Sequence, residues 1–332
     1  MASELSASAL RLLDGWQHGF PLTPRPFALL AAGTGLQETD VLEHFQRWLA
    51  NGVLSRIGPV LHQSCFASAL VGMRVPPARL DSVAAHVTAL SEVNHNYARD
   101  HAVNLWFVAA CPTAPLLHSL LEDIRRKTGC DPMALPMEAA YHIDLGFSLS
   151  AAPKTVSAFS PRQTMQLPAP DSPERALLYS VQHGISLCVR PYRLLAQRVG
   201  MTESDVLRQL EQWLRQGLFR RFGVIVRHRK LGYGANAMCV WNVDDAIVDQ
   251  LGDRLGREPG VTLCYRRSRR PPDWTYNLFC MIHGKERASV LSLRGDIATR
   301  LQLDAWPHAT LFSTRCFKQR GARILQPKAA HA

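Results

Sequence analysis

Residues Gln17–Gly58, QHGFPLTPRPFALLAAGTGLQETDVLEHFQRWLANGVLSRIG, lie over Gln182–Gly223, QHGISLCVRPYRLLAQRVGMTESDVLRQLEQWLRQGLFRRFG, at an offset of 165 residues. Without a gap, 19 of the 42 positions are identical. Unrelated stretches would share only a few, so the chain is an internal duplication and its fold can be read twice. In the second copy the apolar spacing predicts a helix over Arg190–Val199 and a turn at Gly200-Met201. A second helix should open at Thr202-x-x-Asp205, the pattern of a capping box, and run to Arg215 before Gly217 stops it. Short helix, tight turn and second helix make a helix-turn-helix.

Beyond Gly58 and Gly223 the periodicity changes. The first copy predicts a strand at 59–75, a helix at 77–90, strands at 92–99 and 103–111, a helix at 115–128 and a strand at 136–147. The second predicts the same order at 224–243, 245–257, 260–267, 274–282, 286–300 and 307–317. This β-α-β-β-α-β order is that of a ferredoxin-like domain. The expected class is α+β: a tandem duplication of a winged or helix-turn-helix domain followed by a ferredoxin-like domain. The expected bounds are 1–57 and 58–150 for the first pair, a Ser/Pro/Ala-rich linker at 151–172, then 173–222 and 223–325. A helix-turn-helix followed by a ferredoxin-like domain resembles the Lrp/AsnC regulators, whose second domain dimerises and binds small effectors. Both halves carry the resemblance, which implies a pseudo-dimer fused into one chain.

At 332 residues the chain can bury more than one core, and it has no uninterrupted apolar run long enough to span a bilayer. Its first residues, MASELSASALRLLDGW, lack the basic flank and apolar core of a secretion signal. The eight cysteines form no C-x-x-C pair, so reduced thiols in the cytoplasm are expected, with no membrane association and no structural zinc or iron–sulfur cluster. The net charge of +11 is uneven: residues 1–165 hold 12 basic against 13 acidic residues, and the remainder 26 against 14.

That basic excess does not sit where a DNA reader needs it. ETDVLEHFQRW carries Glu38, Asp40 and Glu43 against Arg47, and ESDVLRQLEQW carries Glu203, Asp205 and Glu211 against Arg208. Both helices in the recognition position are net negative where phosphates would lie, so specific DNA binding is not expected. Acidic residues in a first helical turn are explained by the helix dipole alone. The positive charge gathers instead in RRFGVIVRHRK (Arg220–Lys230) and CYRRSRRPPDW (Cys264–Trp274). A bland reading is a strand edge made cationic to prevent sheet pairing. The alternative is a ligand site: Arg266, Arg267, Arg269 and Arg270 alternate with Tyr265, Trp274 and Tyr276. Arginine forks grip carboxylates and aromatic faces stack on flat molecules, so a flat polycarboxylate would use both.

The first half has its own such stretch, VNHNYARDHAVNLWF (Val93–Phe107), in which counting by twos puts His95, Tyr97 and Arg99 on one strand face. Together HNYARDH…NLWF and CYRR…PPDWTYNLFCMIHGK resemble the siroheme decarboxylases of the haem d1 pathway, in their fused, two-copy NirDL form. The resemblance implies conversion of siroheme to 12,18-didecarboxysiroheme with loss of two CO2, and no cofactor beyond the iron of the substrate. It also implies a homodimer, or a complex with two further small Lrp/AsnC-like paralogues. His95, Tyr97, His228 and Tyr265 become the candidate catalytic groups, and His95 and His101 the candidate iron ligands. Arg99, His101, Asn104, Arg229, Arg266, Arg267, Arg269, Trp274, Tyr276 and Asn277 become candidate substrate contacts. His18 and His183, in the repeated QHG, read as structural, and His283 as a residue that shapes or merely caps a pocket. A regulator of the same architecture that senses a tetrapyrrole or another small anion is the alternative, and a non-catalytic tetrapyrrole carrier a third.

The halves are not equivalent. Aligning Val93 with Val261 puts Tyr97 over Tyr265 and Arg99 over Arg267, but His95 over Leu263. Conversely, His228 and Arg229 fall opposite Gln63 and Ser64. An asymmetric pair of sites, or one composite site, is therefore expected in preference to simple drift.

Overall fold

In a computed structural model, residues 6–143, 165 and 167–321 are described, His228 by its backbone alone. The 151–172 linker lies mostly outside the described residues. The first copy runs α1 (Ala7–Gly15), α2 (Pro26–Thr34), α3 (Glu38–Ala50), β1 (Leu54–Leu61), β2 (Ala67–Met73), α4 (Leu80–Ala89), β3 (Val93–Arg99), β4 (Leu105–Cys111), α5 (Ala114–Thr128) and β5 (Met133–Ile143). The second repeats it as α6 (Pro173–Val181), α7 (Pro191–Val199), α8 (Glu203–Arg215), β6 (Phe219–Val226), β7 (Ala235–Trp241), α9 (Val248–Gly256), β8 (Val261–Arg267), β9 (Leu278–Gly284), α10 (Arg287–Leu301) and β10 (His308–Gln319). The α+β class and the duplication are as expected.

Local chemistry sets the helix ends. Thr202 Oγ1 accepts from Asp205 N (3.2 Å), opening α8 as its sequence predicted. In the first copy Gln37 stands in that place, and its N–H donates to Asp40 Oδ2 (3.3 Å). The helices α1 and α6 were not foreseen; Ser6 and Ser172 cap them by accepting from Ala9 N (3.2 Å) and Arg175 N (3.1 Å).

The long strands expected at 59–75 and 224–243 are each two strands. A 3-10 turn at Gln63–Cys65 or His228–Leu231 separates them, because the chain leaves one sheet and enters another. The leading pieces, β1 and β6, pair antiparallel with Gly58 opposite Gly223, and these are repeat-equivalent residues. A pseudo-twofold axis therefore passes between the two glycines. Gly223 must be glycine, because a Cβ there would overlap the Gln17 carbonyl; at Gly58 a Cβ would meet Gly184 Cα tightly, at 3.1 Å. The QHG turn of each copy thus sits on the ribbon strand of the other, with Val224 N donating to Trp16 O and Ile185 N to Ile57 O, both 2.8 Å. Around this ribbon the helix-turn-helix units merge into one apolar core that includes Phe27, Phe45, Trp48, Tyr192, Trp213 and Phe222.

The other eight strands close into a barrel of order β10-β3-β4-β2-β5-β8-β9-β7. Each copy contributes a four-stranded ferredoxin-like sheet, and β5–β8 and β10–β3 join the two antiparallel. Residues of one parity, such as Val71, Phe107, Cys239 and Cys280, form cores on the outer side of the sheets. Residues of the other parity point inward. Because β8 is paired on both sides, there is no edge for its arginines to guard.

Candidate functional site

One part of the barrel interior is filled. Trp106, Trp274, Phe279, Leu135, Leu311, Met133, Met238 and Val240 form a continuous plug. Trp274 meets Trp106 and Tyr276 edge on, at centroid distances of 4.8 and 5.0 Å, and stacks against Phe279 at 6.1 Å. Elsewhere the interior carries polar side chains instead. On β3 these are His95, Tyr97 and Arg99; on β8, opposite in the barrel order, they are Tyr265 and Arg267, with Leu263 in the place of His95. His95, Tyr97, Tyr265 and Arg267 are walled in by the barrel yet keep part of their surface, as residues lining unfilled space do.

The β3 wall is the richer in polar groups. The rings of His95 and Tyr97 run nearly parallel at 11°, with centroids 6.3 Å apart. Arg99, 7% exposed, places its guanidinium 5.9 Å from the Tyr97 centroid. Its Nη1 donates to Leu311 O (2.7 Å) and its Nη2 to Asn236 Oδ1 (3.3 Å). Arg229, from the 3-10 turn of the other copy, donates to Ser313 Oγ (2.8 Å). Cys316, opposite Tyr97 in the register, lies against its hydroxyl. Burial lowers the His95 imidazolium to about 4 and the Arg99 guanidinium to about 10, and raises the Tyr97 phenol well above its ordinary range.

The β8 wall repeats the plan with fewer groups. The Arg267 guanidinium sits 5.0 Å from the Tyr265 centroid, and its Nη1 donates to Leu135 O (2.9 Å). Burial raises the Tyr265 phenol to about 12 and lowers Arg267 to about 10. Arg220 from β6 lies near Tyr265, and His62 beside Arg220; burial first, then the Arg220 charge, lowers the His62 imidazolium. The β3 wall is therefore completed by side chains of the second copy, whereas Arg220 near Tyr265 comes from the same copy as β8 and His62 beside it from the first. The side chain of His228 lies outside the described residues, so its place in either wall is not assigned.

Several expected contacts lie elsewhere, for physical reasons. Strand alternation turns Arg266 outward, where Glu138, Asp245 and Asp249 surround it at 3.0–3.4 Å. Arg269 is held by both oxygens of Asp245 (2.8 and 2.9 Å) and by Asn242 Oδ1 (2.9 Å). Their charges are already answered. Asn104 brackets Val75, accepting from its N–H (2.9 Å) and donating to its C=O (2.8 Å). Asn277 brackets Val243 in the same way, at 2.9 and 3.0 Å, so both amides hold backbone in place. Trp274 is 1% exposed and has no face left for a ligand, and Tyr276 packs against it. His101 lies beyond the end of β3, accepts from Val103 N at Nδ1 (3.0 Å) and meets Trp274 edge on at 5.7 Å. Of the two histidines proposed for iron, only His95 is on the polar wall. Asn236, Cys316, Ser313, Arg220 and His62 were missed; Asn236, a lone amide at an inward position of the apolar strand ANAMCVW, is the one that alternation could have flagged.

Two helix-turn-helix units beneath a barrel made of two βαββαβ halves define the Lrp/AsnC architecture, closed here within one chain. The AsnC-like ligand-binding domain matches at residues 64–142 and 230–318, and the siroheme decarboxylase NirDL-like helix-turn-helix domain at 10–54 and 174–220. The siroheme decarboxylase NirDL subunit of Paracoccus denitrificans is 39% identical over 324 residues, covering 96% of this chain and 97% of that one. The NirL subunit of Stutzerimonas stutzeri is 49% identical over 147 residues, 44% of this chain and 86% of its own length. A crystal structure of NirDL in complex with an iron-uroporphyrin III analogue superposes with a TM-score of 0.67 at 27% identity, covering 96% and 93% of the two chains. The chain belongs to the siroheme decarboxylase family, in its NirDL form.

Proposed function

We propose that this protein is a carboxy-lyase that converts siroheme to 12,18-didecarboxysiroheme with release of two CO2. The observation that carries the reading is electrostatic. Among the described residues, Arg99, Arg229 and Arg267 bond to carbonyls, one amide and one hydroxyl, with no carboxylate as a hydrogen-bond partner. A guanidinium buried without a counter-charge is costly, and a ligand bearing several carboxylates supplies what is missing. Siroheme is flat and polyanionic, and the NirDL relative holds an iron-uroporphyrin III analogue.

Each turnover replaces –CH2–COO⁻ by –CH3, consuming one proton and releasing CO2. The electron pair of the breaking C–C bond must pass into the macrocycle, which is easier once a ring carbon is protonated. Arg99, Arg229 and Arg267 orient the carboxylates, so that one acetate faces the donor. His95 is the first candidate for that donor. Burial keeps it neutral near pH 7, and it gains affinity for a proton when a carboxylate comes close. The same neutral imidazole suits an iron ligand, the other role open to it. Tyr97 orients the reacting group, and Tyr265 and His228 serve the opposite or second site. No cofactor beyond the substrate's iron is required.

The acidic first turns of α3 and α8, with Glu38 and Glu203 already paired to Arg25 and Arg190, argue against specific DNA binding. Among the described residues no helix is long and apolar enough to cross a membrane, and the proposed location is the cytoplasm. The proposed assembly is a homodimer or a complex with two further small paralogues. The test is anaerobic incubation with siroheme, with and without those paralogues, followed by mass analysis of the tetrapyrrole. Loss of two CO2 is expected; unchanged siroheme in both arms overturns the reading. His95→Ala and His228→Ala then assign the sites, since histidines serving different steps leave a product that has lost a single CO2.

A further inference from the structure

Arg99 and Arg267 occupy equivalent places, yet among the described residues only Arg99 has a second support. Its Nη2 donates to Asn236 Oδ1 (3.3 Å), Asn236 Nδ2 lies 2.7 Å from His283 Nε2, and His283 Nδ1 lies 3.0 Å from Thr262 Oγ1. Thr262 Oγ1 in turn donates to Met281 O (3.1 Å). Proton positions along this chain follow from its two ends. A guanidinium can only donate, so Asn236 turns its carbonyl to Arg99 and its NH2 to the ring. Nε2 of His283 must then accept, and Nδ1 carries the hydrogen and gives it to Thr262, whose own hydrogen is given to Met281. In the first half the same register positions hold Ser68, Ala110 and Asn94, which cannot rebuild this chain around Arg267.

We propose that Asn236 and His283 are positioning residues that orient Arg99 without neutralising it, which makes the β3 wall the tighter carboxylate site of the barrel. A carboxylate at position 236 would fix the guanidinium more firmly, but would consume the charge that a ligand needs. An amide fixes its direction and leaves the charge free. The neutral imidazole holds the amide in the one orientation that presents oxygen to Arg99. This inference rests on the tetrapyrrole reading above.

The test is spectrophotometric titration of the whole chain with iron-uroporphyrin III, beside thermal melts of each variant. Asn236→Ala and His283→Leu are each expected to weaken binding by about tenfold, the scale of one charge-assisted hydrogen bond. Asn236→Asp should weaken it by about a hundredfold while the melting temperature holds or rises, because the new ion pair stabilises the empty barrel. In an Arg99→Met background, Asn236→Ala should change nothing further, since the support has nothing left to orient. Ser68→Ala, at the equivalent place in the first half, should stay within about twofold of wild type. Wild-type affinity in Asn236→Asp, or an undiminished Asn236→Ala effect without Arg99, overturns the inference while leaving siroheme binding intact. A wild-type chain that does not bind iron-uroporphyrin III overturns both.

Discussion

Replacing Arg99 by methionine separates a residue kept for the fold from one kept for a ligand. Burial lowers the Arg99 guanidinium from 12.5 to about 10, which corresponds to roughly 3 kcal/mol against the folded state at neutral pH. Against this stand the bond to Leu311 O at 2.7 Å, the longer one to Asn236 at 3.3 Å and the Tyr97 ring face. One good charge-assisted bond contributes about 1.5–3 kcal/mol, and the cation–π contact about 1 kcal/mol. The terms nearly cancel, and methionine fills much of the same volume. Unfolding of the ligand-free Arg99→Met chain in urea should therefore move by no more than about 2 kcal/mol in either direction. Ligand binding should not be spared. Loss of one desolvated charge pair costs about 2–5 kcal/mol, so affinity for iron-uroporphyrin III should fall by about thirtyfold or more. The stabilisation that saturating ligand gives wild type in urea should shrink to match. A variant that is about 4 kcal/mol less stable but binds as wild type does would show Arg99 to be structural and refute the reasoning.

His95 gives stability a pH signature. Its folded value of about 4 lies below the ordinary 6.5, so only the unfolded chain takes up the proton in that window. Stability of the empty protein should be constant above pH 6.5 and fall by up to roughly 3 kcal/mol as pH drops to 4; His95→Gln should remove this part of the slope in urea melts. Gly223→Ala places a methyl group on the Gln17 carbonyl and should cost about 2–3 kcal/mol, measurable as a lowered melting temperature, with Gly58→Ala milder. Asn277→Ala strips both partners from Val243 and should cost about 2–4 kcal/mol in urea unfolding, with no change in ligand affinity beyond the loss of folded protein.

Sequence carried the elements better than their assembly. The repeat, the helix-turn-helix and the βαββαβ order follow from local spacing, as does the shared inward face of His95, Tyr97 and Arg99. The split of 59–75 and 224–243 was hidden because one apolar run serves two sheets, and apolarity does not record which partner a strand finds. Barrel closure depends on β5–β8 and β10–β3, pairings between residues more than a hundred positions apart. The arginine run misled for a simpler reason. Alternation from Tyr265 assigns Arg267 inward and Arg266 outward, but a cluster read as a cluster loses that parity, and Arg269 lies past the strand end where parity no longer applies. Asn104 and Asn277 misled in the opposite sense: a motif present in both copies invited a ligand role, whereas the repetition reflects a backbone bracket that each copy needs to fold.

Fusion of the two copies changes what the barrel can be. Two identical chains around a twofold axis duplicate every inward residue, so a histidine placed on one wall appears on the other, and any support for one arginine supports both. Here the axis survives in the frame of the barrel and ribbon: Gly58 faces Gly223, Asn104 matches Asn277, and Arg99 and Arg267 reach equivalent carbonyls at Leu311 and Leu135. It fails where chemistry is at stake. His95 stands against Leu263, and Asn236 and His283 stand against Ser68 and Ala110. A macrocycle with unlike edges presents different carboxylates to the two walls, and a symmetric barrel would hold them with equal strength. Unequal walls give such a ligand one preferred orientation, and that orientation decides which acetate meets the proton donor first.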